Sequence, residues 1–581
     1  MNDSSMKIIR SLIIAILAVL LGVSCGRTGS PLEIYATTDL HGMLLPFDNT
    51  EGTATDRSLA NLASVVESKG NRNIVLLDNG DILQGDPLAY YYNFIDTTTT
   101  HIIADILNYL GYDAASAGNH DIEAGHPVFD RVRREYKFPM LAANAIDIST
   151  GEPYFEPYTV IQKKGFRLVV FGLITPSVPK WLPESLYSGI RFENMVSTAR
   201  KWMPAMLAEE PDLVIGLFHS GMGDERDPGD DENSTLSVAV NVPGFDVIFC
   251  GHDHRQDVRE VTNSAGEKVL VLDGGSRADA LMNVTVTMRR EDDGTVQPEL
   301  SGKLIRMNTL PESAAFLERY SEVSKRLDEY TSEIIGRSTA TATTRDAFFG
   351  PSAFVDLIHQ VQLGISGAQI SLAAPLSFDQ KIEEGDLRIR DMYRLYRFEN
   401  FLYTVRMTGG EIDRHLEHAA GQWFQTMKNS SDLMLRYRLD DDGAPVMVNG
   451  TARLQNPSYN FDSALGIRYT VDVSKPRGAM VDITALSDGT PFSYSAEYAV
   501  AVNSYRASGG GGHFPAAGIT ATGLDKRIIS ATDRDLRYYM TEWIRKKGTI
   551  TPVEEGEWSI IPAVWAEKAE ERESVMLFGK N

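Results

Sequence analysis

Metal-binding side chains recur in five short runs of the first half of the chain. They are Asp39-Leu-His41-Gly42, Asp78-Asn-Gly-Asp81, Gly118-Asn-His-Asp121, His219-Ser-Gly221 and Gly251-His-Asp-His254. Only 11 histidines occur in 581 residues, and five of them fall in these runs. Carboxylate oxygen, imidazole nitrogen and amide oxygen together suit a pair of hard-to-borderline divalent ions. Asp39 and His41, two residues apart, can reach one ion from a single extended or turning segment. Asp81 can bridge two ions, Asn119 offers a neutral oxygen, and His219, His252 and His254 offer nitrogens. Two ions about 3.5–4 Å apart can clamp a hydroxide and a phosphoryl oxygen together. His120, beside Asn119, can stabilise phosphoryl charge or protonate a leaving alcohol. Each run alone is commonplace, an Asp-x-His being more often a surface turn; five in one order point to a site. Asp78 reads as a turn cap, and Asp121 and Asp253 as partners that orient imidazoles. His101, His126, His359, His415, His418 and His513 read as structural or surface residues, and Cys250 as an inert core thiol.

The elements that must position these runs are apolar strands. Leu32–Ala36, Ile74–Leu77, Leu168–Leu173, Leu213–Phe218 and Val247–Cys250 alternate with helical patterns, which predicts an α/β layered domain. Ligand-type residues follow the C-terminal ends of these runs, where open α/β sheets place their sites. The spacing of Phe316, Leu317, Tyr320, Val323, Leu327 and Tyr330 predicts a linker helix over residues 310–334. A second α/β or α+β domain is expected over 335–555, followed by a tail over 556–581 with a solvated helical face at Glu567–Arg572. Its strands are expected at Ile370–Ala374, Ile467–Val473, Met480–Leu486 and Tyr498–Asn503, and its helices at Phe354–Gly364 and from Gly409.

The length exceeds one core, so two domains are the expectation. An apolar fraction of 43% describes an ordinary globular chain, and a net charge of −23 argues against nucleic-acid polymers as partners. A small anionic substrate remains compatible, because bound metals invert the local field. At the N-terminus, Lys7 and Arg10 precede the apolar run Leu12–Val23, which fits an export signal over residues 1–24. The ending Leu21-Gly-Val-Ser-Cys25 resembles a bacterial lipoprotein signal and implies lipidation of Cys25, a tether over 25–31, and membrane anchoring in the periplasm or at the cell surface. An ordinary cleaved signal is the alternative, and no structural disulfide is expected from two cysteines.

The second half carries two aromatic stretches, Tyr459-Asn-Phe-Asp462 and Asn503-Ser-Tyr-Arg-Ala-Ser-Gly509, the latter leading into a glycine run. Two aromatics face to face can sandwich a nucleobase, worth about 1–3 kcal/mol per base. Tyr459 and Tyr505 lie beside turn-forming or polar residues; Phe461 reads equally as core or ligand contact.

The order Asp-x-His, Gly-Asp, Gly-Asn-His-Asp, His-Ser-Gly, Gly-His-x-His resembles the calcineurin-like metallophosphoesterase superfamily. Over roughly residues 32–550 the chain is similar to its two-domain group of 5′-nucleotidases and 2′,3′-cyclic-nucleotide phosphodiesterases. The resemblance implies a four-layer domain over 32–309, a β-sandwich flanked by helices, followed by an α/β nucleotidase domain. It also implies one ion on Asp39, His41 and His254, a second on Asn119, His219 and His252, and Asp81 bridging. The ions could be zinc, manganese, iron or cobalt. His120 becomes the catalytic histidine with Glu123 as acidic partner, where many members have aspartate. Asn503, Tyr505, Tyr459 and Phe461 match the substrate loops of the cyclic-phosphodiesterase/3′-nucleotidase branch. The 5′-nucleotidases usually carry a glycine-rich loop ending in arginine; here Ser371-Leu-Ala-Ala-Pro-Leu-Ser377 has none. Arg390, Arg394 and Arg397 read as a solvated helix face or salt-bridge partners. The resemblance thus implies hydrolysis of 2′,3′-cyclic and 3′-nucleotides, with 5′-nucleotidase or nucleotide-sugar hydrolase activity as the alternative. A nucleotide-binding lipoprotein without catalysis is the reading from another class. A small nucleotide is the only partner expected besides the membrane.

Overall fold

The computed structural model describes residues 31–224, 231–290, 296–524 and 526–579. Two six-stranded sheets form the first domain. One runs Val296–Arg306, Ala280–Arg290, Leu32–Thr37, Ile74–Asp78, Ala114–Ser116, Met140–Leu141; the other runs Gln256–Thr262, Lys268–Gly274, Val247–Cys250, Leu213–His219, Phe166–Ile174, Tyr158–Lys163. Period-two alternation explains the layering. Ile34, Val75 and Leu77 of one sheet meet Leu168, Val170, Ile215 and Leu217 of the other in a shared inner core. The intervening residues point outward under helices: Tyr35, Ile74 and Leu76 on one side, Val169, Phe171 and Leu173 on the other. Both faces of each sheet are therefore covered, giving the expected four layers.

The central strands are parallel: Leu32–Thr37 beside Ile74–Asp78, and Phe166–Ile174 beside Leu213–His219 beside Val247–Cys250. Parallel pairing aligns their C-terminal ends, and all five ligand-bearing runs emerge at that edge. The linker region forms two helices, Ala314–Arg319 and Ser321–Thr331, which break at Tyr320.

The second domain centres on a five-stranded sheet ordered Ser463–Leu465, Ile370–Ala373, Glu497–Asn503, Phe401–Thr408, Ile528–Asp535. Helix Ala353–Ser366 and helix Gly409–Trp423 pack on it, the latter started by a Thr408–Glu411 capping box. Residues 558–578, read from the sequence as part of a tail, belong to this core. Strand Trp558–Ile561 pairs with Ile467–Asp472, and helix Ala563–Phe578 buries Ala569 and Leu577. Within that helix Glu567, Lys568, Glu570 and Glu571 do face solvent. Tyr90 of the first domain donates to Asp535 of the second at 2.7 Å, and Arg394 pairs with Glu51 at 3.3 Å across the same interface. Among the described residues no helix is long and apolar enough to cross a membrane.

Candidate active site

Tight turns carry the ligand-type residues from the strand ends into the cleft. Ten non-glycine residues among those described have positive φ, and five of them are Asp39 (49°), His41 (47°), Asp81 (56°), His252 (77°) and His254 (57°). Such backbone costs about 1–3 kcal/mol per residue and persists only where its surroundings enforce it. Asp121 enforces part of it: its carboxylate accepts backbone N–H groups of Asp81, Ile82 and Leu83 at 3.0 Å and of Gly118 at 2.8 Å. Gly118 packs so closely there that a Cβ would lie 2.2 Å from Asp81 Oδ1. Asp78 caps its own turn, accepting from Gly80 N–H at 3.1 Å and from the Thr37 hydroxyl at 2.7 Å.

Two donor groups result. Asp39, His41 and His254 form one; Asp81, His219 and His252 form the other, with the ligand atoms in each group within 4.8 Å. Asn119 Oδ1 joins the second, 3.2 Å from His219 Nε2. The hydrogen bonds of the rings say what these groups are for. The His41 Nδ1–H points at the Gln84 carbonyl (3.1 Å), so its Nε2 holds a lone pair, and that nitrogen lies 3.0 Å from His254 Nε2. His219 likewise donates Nδ1–H to the Asn79 carbonyl at 2.7 Å, which turns Nε2 toward two acceptors, Asp81 Oδ2 at 3.1 Å and Asn119 Oδ1 at 3.2 Å. A lone pair facing acceptors requires a cation between them, either a proton or a metal ion. Burial disfavours charge on His219, yet Asp81 outweighs it and pushes the ring up to about 10, so a proton holds that place when a metal does not. Burial pushes His41 down to about 3, keeping it a neutral ligand. The donor chemistry therefore fits divalent metals at both groups.

His120 stands between them and the second domain. Its backbone N–H donates to Asp81 Oδ1 at 2.8 Å, and its ring Nδ1 is paired with the Glu123 carboxylate, leaving Nε2 for a substrate. Burial opposes a charged ring, but Asp81 and Glu123 together push His120 up to about 9. His120, Asn119, Asp81 and His252 line one cavity of about 480 Å³ with Tyr459, Asn503 and Tyr505. Trp181 forms part of this wall and lies over the His252 ring, centroids 5.3 Å apart.

The structure brings all seven ligand-type residues, His120, Glu123, Tyr459, Tyr505 and Asn503 around this cleft. Phe461 is the exception: it is buried and stacks on Trp423 at 4.4 Å and 14°, a core residue rather than a substrate contact. Tyr459 and Tyr505 meet edge to face, 6.3 Å and 85°, rather than as parallel plates. Among the described residues Asp121 and Asp253 make no hydrogen bond to an imidazole. Both accept backbone N–H groups of turns instead, Asp253 from Met222 and Arg255. Arg390 and Arg394 form ion pairs as expected, but Arg397 makes none among the described residues and lines the cleft beside Phe398. Sequence reading missed Phe398 and Trp181; each lies in a loop outside the ligand-type runs, Phe398 among several aromatics that are mostly core. The Ser371–Ser377 stretch also reaches the cleft, through Leu376 and Ser377. Cys250 is buried, and Cys25 lies outside the described residues.

A third cluster, His415, Asp462 and His513, is wholly buried in the second domain. Its carboxylate already accepts from Arg506 at 2.7 and 2.8 Å, so its charge is spent on a guanidinium and the cluster is no metal site.

Comparison with known proteins agrees with this geometry. A model of the calcineurin-like phosphoesterases matches residues 32–256, and one of the 5′-nucleotidase C-terminal domain matches residues 334–518. The trifunctional nucleotide phosphoesterase protein of Bacillus subtilis is 26% identical over 91% of this chain, which spans 39% of that protein's length. A 2′,3′-cyclic-nucleotide 2′-phosphodiesterase/3′-nucleotidase of Haemophilus influenzae is 26% identical over 96% of this chain and 92% of its own. The fold is shared with the crystal structure of a candidate 5′-nucleotidase from Staphylococcus aureus, with a TM-score of 0.76 at 20% identity, covering 91% of this chain and 100% of that one. The two matched segments divide the chain as its two cores do: it carries a calcineurin-like phosphoesterase domain followed by a 5′-nucleotidase C-terminal domain.

Proposed function

We propose that this protein is a phosphoric ester hydrolase of the cell envelope that acts on 2′,3′-cyclic nucleotides and 3′-nucleotides. Asp39, His41 and His254 would hold one divalent ion and Asn119, His219 and His252 a second, with Asp81 the carboxylate that would serve both. The observation that carries this reading is the single cavity in which Asp81, Asn119, His120 and His252 share a wall with Tyr459, Asn503 and Tyr505. Cleavage and base recognition then act on one molecule. When bound, paired divalent ions neutralise phosphoryl charge and lower the pKa of water. His120, its Nδ1 held by the Glu123 carboxylate, presents Nε2 to donate a proton to the leaving ribose oxygen. Tyr459 and Tyr505 enclose the base, and their rings must part from edge contact to admit it.

The His120–Glu123 pair argues against a protein that only captures nucleotides, since binding needs no proton donor at the ester. One observation favours the 5′-nucleotidase alternative: Arg397 brings to the cleft a guanidinium that the Ser371–Ser377 loop lacks. A hydrolysis panel of 2′,3′-cyclic AMP, 3′-AMP and 5′-AMP decides. The reading requires the first two to be preferred; a clear preference for 5′-AMP overturns it. Lipid anchoring through Cys25 rests on the signal-like run before it. Incorporation of labelled fatty acid, lost in Cys25→Ser, tests it.

A further inference from the structure

We infer that a second cavity, reached past Tyr459 from the cleft, is a subsite for a second phosphate carried by the nucleotide substrate. This rests on the nucleotide reading above. The cavity has a volume of about 500 Å³, and the charged residues of its wall are all arginines: Arg397, Arg438 and Arg453. That is unexpected in a chain with 79 acidic and 56 basic residues. Tyr459 and Arg397 line this cavity and the cleft alike, so the two spaces adjoin.

The arginines are placed against their own interest. Arg438 N–H donates to the Arg453 carbonyl at 2.8 Å, and the neighbouring residues Tyr437 and Leu454 form an antiparallel bridge. Two guanidinium side chains thus start from adjoining points of paired segments, an arrangement that destabilises a fold when nothing anionic meets it. Among the described residues Arg397, Arg438 and Arg453 make no ion pair, whereas Arg390 and Arg394 do. Asp440, close in sequence to Arg438, accepts instead from the backbone of Asp442 and Ala444 in its own turn. Three unpaired guanidinium forks around a cavity match the oxygens of a phosphate. With the 3′ ester at the metals, the ribose 5′ carbon is the position left free to carry one. The substrate class is therefore a 3′-nucleotide with a 5′ phosphate, either a terminal monoester or the diester of a short linear oligonucleotide.

The test compares kcat/KM for 3′-AMP, adenosine 3′,5′-bisphosphate and the dinucleotide ApAp, in the wild type and in Arg438→Gln/Arg453→Gln. One bisphosphate or dinucleotide, or both, should be preferred over 3′-AMP by roughly tenfold or more, and the double substitution should bring that ratio towards one. Preference for the bisphosphate alone assigns the site to a monoester, and for ApAp alone to a diester. Each single variant should also hold or raise the thermal midpoint of the ligand-free protein, since a repulsion is relieved. No preference in the wild type, or a preference untouched by the double substitution, overturns the subsite. No turnover of 3′-AMP at all sinks the nucleotidase reading beneath it, a failure distinct from the first.

Discussion

Arg506→Met should separate nucleotide recognition from phosphoester cleavage. Arg506 is 1% exposed and touches neither metal group, yet it uses every N–H it has. It donates to both oxygens of Asp462 (2.7 and 2.8 Å), to the carbonyls of Tyr459 and Gly510 (2.7 Å each) and to Asn460 Oδ1 (3.3 Å). The guanidinium thereby ties the turn bearing Tyr459 to the glycine run that follows Tyr505. Removing it leaves Asp462 buried with the His415 ring (2.7 Å), whose charged form burial disfavours, as its remaining hydrogen-bond partner among the described residues. Breaking such a pair costs about 3–5 kcal/mol. At about 2–4 °C per kcal/mol for a domain of this size, Tm should fall by roughly 6–20 °C. Loosening one stacking partner should raise KM for 3′-AMP roughly 5- to 150-fold, from the 1–3 kcal/mol of a base stack. Bis(p-nitrophenyl) phosphate is cleaved at the metals but offers no nucleobase, so its kcat/KM should barely change at temperatures where the variant is folded. Arg506→Met/Asp462→Asn should regain part of the lost stability, because the stranded charge is gone. An unchanged midpoint, or equal losses on both substrates, refutes the reasoning.

Three further outcomes follow from the geometry. In Glu123→Gln the carboxylate that stabilises the imidazolium is lost, so His120 titrates lower and the alkaline limb of the kcat–pH profile moves to lower pH; an unmoved limb counts against the dyad. Phe461→Ala should cost about 3–5 kcal/mol of stability with KM little changed, while Tyr505→Ala should do the reverse; urea unfolding beside steady-state kinetics separates them. Gly118→Ala forces a Cβ to 2.2 Å from Asp81 Oδ1, so metal content measured by elemental analysis should fall along with activity, and full occupancy would count against Asp81 as a ligand.

The metal half of the site was readable because aspartate and histidine at strand ends carry little other meaning, and parallel strands bring such ends together. What the sequence could not display was backbone: five ligand positions have positive φ, and Asp121 and Gly118 close the turn at one of them, Asp81. Tyr459 and Phe461 are two residues apart and have opposite fates. A 3₁₀ turn at Ser458–Asn460 leaves the first on the cleft and sends the second onto Trp423. Arg390, Arg394 and Arg397 look like one helix face at their spacing, but the helix ends at Leu395; Arg394 and Arg397 both reach the cleft, and of the two Arg394 is the one held in an ion pair. The strand Trp558–Ile561 escaped notice because its partner lies some ninety residues away, where local periodicity says nothing.

The central claim is that two divalent ions, held by Asp39, His41, Asp81, Asn119, His219, His252 and His254, perform the cleavage. Metal-stripped protein titrated with manganese while 3′-AMP hydrolysis is followed tests it most directly. Activity should be absent without metal and should level off at two equivalents per chain, with Asp39→Asn binding one ion and turning over at least a hundredfold more slowly, on the order expected for losing a catalytic metal. A plateau at one equivalent, or hydrolysis that survives chelation, contradicts the account.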